Sequence, residues 1–104
     1  MSTLSPTISK TALQALTELT GEPRANVALL LTLQDAVAYR LGIVRTAIAS
    51  LEQKHGMSFE EFEAQGRAEA ASDQFAYDVE RDYFEWDGLI SRKQKLETIE
   101  AWLI

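Results

Sequence analysis

The chain has no cysteine, two prolines and one histidine in 104 residues, and each shortage excludes something. Without cysteine there is no disulfide framework and no thiolate chemistry, which fits a reducing cytoplasm. With His55 as the single imidazole, any nucleophilic serine has one candidate base. No G-x-S-x-G, P-loop or dinucleotide fingerprint occurs, so enzyme function is not expected. No apolar run approaches the ~18–20 residues of a membrane helix; the densest is VALLL at 27–31. The start, MSTLSPTISK, lacks a basic region followed by an apolar one, so no secretory signal is expected. A soluble, cytoplasmic protein of one domain follows, with no membrane role and no cofactor.

Positive charge is also scarce. Ten Lys and Arg face sixteen Asp and Glu, for a net charge of −6, which opposes non-specific binding to phosphates. The deficit lies in the second half: residues 1–54 carry +1 and residues 55–104 carry −7. The near-neutral first half leaves room for local DNA contact.

What the chain does have is a concentration of rings among acids. Phe59, Phe62, Phe75, Tyr77, Tyr83, Phe84 and Trp86, seven of the nine aromatics, fall between Phe59 and Asp87. The same window holds ten carboxylates against Arg67 and Arg81, a formal charge of −8. Rings supply anchoring area and carboxylates attract a basic surface, so the mixture suits a docking surface. Part of it is expected to be core: Phe59, Phe62, Phe75, Val79 and Trp86 suit the inner faces of two amphipathic helices, with the acids outside. With Trp86 inside, Tyr83 can share its face, whereas Tyr77 and Phe84 should point elsewhere.

The periodicity is helical nearly throughout. Ile8, Ala12, Leu16 and Leu19 mark a stripe over Thr7–Thr20, stopped by Gly21. A long helix is expected from about Arg24 to Lys54. Along it Leu30, Val37, Leu41, Val44, Ile48 and Leu51 form a heptad seam with Gln34 in the gap, read as a dimer interface. Leu29, Leu31, Leu33, Ala36 and Ala38 widen the apolar face early in the helix, so that half should be buried on more than one side. Gly42 lies inside it. Gly56 suits a left-handed C-terminal cap. Ser58 and Glu61 match a capping box, with Met57 and Phe62 as its hydrophobic staple, before a short helix from Phe59 to about Gln65. A last helix should start near Ser72 or Asp73 and run to the chain end along Phe75, Val79, Trp86, Leu89, Leu96, Ile99 and Leu103.

Glu52 and His55 form E-x-x-H, a spacing that places two metal ligands on one helix face. His55 also sits in the last turn, where a cation complements the helix dipole. The second reading is preferred, and no metal site is expected.

Residues 8–41 resemble the helical part of ribbon-helix-helix antitoxins, in a short helix ending LTGE followed by a leucine-rich helix. KHGMSFEEF at 54–62 and FEWDGL at 84–89 resemble blocks of small all-helical antitoxin-like proteins of bacterial toxin–antitoxin pairs. Pro6, and the lack of any Arg or Lys before Lys10, depart from a DNA-reading ribbon at Ser2–Ile8. The resemblance implies an antitoxin-like protein that neutralises a basic protein toxin encoded nearby. Tyr77, Asp78, Asp82, Tyr83, Phe84, Glu85 and Trp86 would be its partner-binding residues. The expected fold is all-α: short helix, long helix, short helix and long C-terminal helix, in an elongated homodimer. Residues 1–56 would dimerise and residues 57–104 would bind the partner. The alternatives are a non-catalytic adaptor dimer and a DNA-binding autorepressor.

Overall fold

A computed structural model describes residues 7–69 and 76–104, and these form four α-helices. They are α1 (Lys10–Thr20), α2 (Ala25–His55), α3 (Phe59–Glu69) and α4 (Ala76–Trp102). No strand occurs among the described residues.

The helix ends follow local chemistry. Ser9 caps α1 by accepting from the Ala12 amide at 3.1 Å. Gly21 and Gly56 close α1 and α2 in left-handed conformations, with φ of 73° and 66°. That backbone region penalises a Cβ, so glycine is the residue that ends these helices cheaply. The link between α1 and α2 is tied by Glu22, whose carboxylate accepts from the Arg24 amide and guanidinium. The capping box of α3 is formed reciprocally: the Glu61 amide donates to Ser58 Oγ at 3.2 Å, and the Ser58 amide to Glu61 Oε1 at 3.3 Å. Met57 packs on the cluster that contains Phe62.

α3 runs past Gly66, where a stop was expected, to Glu69. A glycine in a helix interior costs only ~1 kcal/mol and does not terminate it. Gly42 and Gly88 are likewise passed without a break. Phe75 and the expected caps Ser72 and Asp73 lie outside the described residues.

α2 and α4 pack antiparallel over most of their length. Gln34 Nε2 reaches the Leu103 carbonyl at 2.6 Å, Arg45 meets Glu97 at 3.2 Å, and Lys54 and His55 meet Asp82. Early α2 residues thus face late α4 residues. Gln34, in the gap of the α2 heptad, is half-buried and satisfies a carbonyl that the end of α4 would otherwise leave unpaired.

The core is one cluster: Val37, Leu41, Val44, Ile48 and Leu51 from α2, Phe62 from α3, and Trp86 and Leu96 from α4. This corrects the interface expected from the heptad seam. Val37, Leu41, Val44, Ile48 and Leu51 are buried against this chain's own α4, and Leu30 remains exposed. A 3.5-residue repeat specifies that an apolar face must meet another helix, not which chain supplies it.

α1 packs on a different side of α2, where Ala28 is fully buried. With α1 and α4 on separate sides of a helix about 46 Å long, the chain is extended. Its radius of gyration is 20.1 Å, against about 13 Å for a compact chain of this length.

Candidate docking site and the core beneath it

α3 crosses the end of the α2–α4 pair, and the acidic-aromatic window splits there into an inner and an outer part. On the inner side Trp86 is 0% exposed and sits among rings. Phe62 lies 5.2 Å from it, Phe59 5.6 Å and the His55 imidazole 5.8 Å. His55 is stacked against Trp86 and contacts Phe62 at 4.5 Å, so the three rings form a mutually packed cluster. The Trp86 indole Nε1 is buried without a hydrogen-bond partner among the described residues.

Asp82 is a buried acid at 3% exposure, one helical turn before Trp86. Its Oδ2 accepts from Lys54 Nζ and from His55 Nε2, both at 2.7 Å. An ionised carboxylate only accepts, so the Nε2 of His55 carries the proton in that bond. Arg81 Nε stands 3.9 Å from Oδ1. Burial pushes the Asp82 carboxyl up, but the bonds from Lys54 and His55 and their charge outweigh it, and the group sits below the usual carboxylate range. The last turn of α2 is therefore latched to α4 by one carboxylate. Tyr83 is half-buried beside it, stacked on Phe59 at 5.6 Å, and its hydroxyl donates to Glu63 at 2.8 Å.

Asp82, Tyr83 and Trp86, read from the sequence as partner-binding residues, thus pack wholly or partly inside the chain. The physical reason is register. Val79, Asp82, Trp86 and Leu89 recur at intervals of 3, 4 and 3, so Asp82 occupies a core position. An acid on an apolar stripe, with Lys54 and His55 ending the preceding long helix, was a readable signal for this latch.

On the outer side Tyr77 and Phe84 are 74% and 67% exposed. Seven residues apart, they lie on one face of α4 about 10.5 Å from each other along its axis. Asp78, Glu80, Glu85 and Asp87 are exposed and flank that face on both edges. Arg81, the cation in this stretch, is 3.7 Å from Asp78. The Phe84 ring meets Tyr83 edge-on at 5.6 Å.

No protein-family model, curated protein or solved structure matches this chain.

Glu52 is exposed and His55 is engaged by Asp82, so E-x-x-H does not converge here. Among the described residues no three His, Asp or Glu side chains group to hold a metal ion. Most of Ser2–Ile8, where a DNA-reading strand would lie, falls outside the described residues.

Proposed function

We propose that this protein is a docking protein that captures a basic protein partner, in the manner of an antitoxin neutralising a cationic toxin. The observation that carries the reading is the outer face of α4, where Tyr77 and Phe84 stand exposed between Asp78, Glu80, Glu85 and Asp87. Single exposed apolar side chains are common, but two large rings aligned on one helix face amid like charge are the composition of a protein-binding anchor. The carboxylates raise the encounter rate with a positive surface, and the rings give arginine or lysine side chains a flat apolar seat. A ribonuclease toxin offers such a surface in its cationic groove.

The buried latch supports this division of labour. Lys54, His55, Asp82 and Trp86 hold the first half of α4 against α2 and α3, so the docking face is presented by a fixed helix. A preordered face loses less entropy on binding than a mobile one.

The test is a titration of the full chain with the protein encoded by the adjacent gene. Tyr77→Ala and Phe84→Ala should each weaken binding at least tenfold while leaving thermal stability unchanged. Asp78→Lys with Glu85→Lys should slow association at low salt and matter little at high salt. Unchanged affinity in all of these variants rules out the face as the docking site.

A further inference from the structure

α2 carries more apolar surface than the chain's own helices enclose. By length and composition it could cross a membrane, yet only 22% of its most apolar eighteen-residue window is buried. A helix that is hydrophobic around most of its circumference is stable only when surrounded. α4 covers one side along Val37, Leu41, Val44, Ile48 and Leu51, and α1 covers another around Ala28.

Projected at 100° per residue, a further stripe runs between those two sides: Leu29, Leu33, Ala36, Arg40, Ile43 and Ala47. Its spacing alternates 4 and 3, the spacing of a helix-packing seam. Leu33 and Ile43 on it are 44% and 54% exposed. We infer that this stripe is where a second copy of the chain docks, with the two α2 helices antiparallel.

The stripe is complementary to itself. A two-fold axis midway between Ala36 and Arg40 sets Leu33 against Ile43 of the second copy. The same axis sets Leu29 against Ala47, and Ala36 against Arg40. Leu33 and Ile43 form the large apolar contact, Leu29 meets the small Ala47, and the apolar stem of Arg40 crosses Ala36 with its guanidinium at the edge.

Surface area supports a second copy as the occupant. The chain exposes 7954 Å², whereas a compact 11.6 kDa protein exposes about 5,800 Å². A standard interface takes about 800 Å² from each partner, less than half of that surplus. A bilayer is the poorer occupant. Asp35 and Arg40 would both sit within the apolar window, where each charge is costly, whereas at a dimer edge both stay in water. The seam so formed is separate from Tyr77 and Phe84, so a dimer presents two docking faces.

Sedimentation equilibrium of the full chain across the micromolar range tests this. The expected mass is twice 11.6 kDa. Leu33→Glu with Ile43→Glu should reduce it to one copy with helicity unchanged by circular dichroism, since neither residue belongs to the buried core. Leu31→Glu, on the opposite flank, should leave the dimer intact. Should the double variant lose helicity, cysteine cross-linking decides instead, and the chain has no native cysteine to interfere. Leu29→Cys chains mixed with Ala47→Cys chains should join through a short bismaleimide, and neither should join to itself, because each position lies about 27 Å along the axis from its own copy. A single-copy mass for the unmodified chain, with or without flotation on phosphatidylcholine–phosphatidylglycerol vesicles, overturns the inference. A dimer that survives the double variant, or Leu29→Cys chains joining to themselves, overturns it equally.

Discussion

Replacing Asp82 by asparagine keeps the shape of the side chain and removes its charge, which isolates what the latch contributes. Two bonds converge on Oδ2, from Lys54 and His55, both at 2.7 Å. A hydrogen bond to a charged group contributes roughly 1.5–3 kcal/mol and a neutral one roughly 0.5–1.5, so each exchange costs about 1 kcal/mol. The Lys54 side chain is 53% exposed, and water replaces much of what it loses, so its share is discounted. Asp82→Asn should therefore destabilise the chain by about 1–2 kcal/mol at neutral pH. Urea unfolding followed by circular dichroism, at one fixed protein concentration, measures it. The pH dependence supplies a second check. The folded Asp82 carboxyl titrates below its ordinary value, so as pH falls the unfolded chain takes up this proton first. The contribution is complete above the ordinary carboxylate value, about 4, and is lost as pH falls through the lower folded value. The variant cannot titrate at this position. The stability gap between the two proteins should therefore close in acid below about pH 4. A gap under about 0.5 kcal/mol at neutral pH, or one that stays constant into acid, refutes the latch.

Three further outcomes follow from the same geometry. Trp86→Ala should cost about 3–5 kcal/mol by chemical denaturation. Trp86→Phe should cost much less, because it also removes the indole N–H that is buried without a partner among the described residues. Ser58→Ala should cost about 1 kcal/mol and speed amide exchange in the first turn of α3, since the capping bond to Glu61 disappears. Gly56→Ala should cost about 1–2 kcal/mol by thermal melting, because alanine must adopt a φ of 66° although open space surrounds the site.

The sequence alone determined the helices and the ends that local caps set, though not the run of α3 through Gly66 to Glu69. Ser58 and Glu61, Gly21 and Gly56, and the 7–3–7 spacing of Val79, Trp86, Leu89 and Leu96 act within one or two turns, so they are readable from neighbouring letters. Only the tertiary structure decided what each apolar face meets. The heptad along α2 required a helix opposite it, and the chain's own α4 filled that place because it is long, antiparallel and tethered through α3. The acids divided in the same way. Asp78 and Asp82 are the same residue four positions apart, yet one faces water and the other is the keystone of the core. The difference rests on Lys54 and His55, which are 28 and 27 residues away in sequence and 2.7 Å away in space. Periodicity sets Asp82 on the core stripe, but burial of its charge depends on partners that folding brings near, and spacing along the chain does not name those partners.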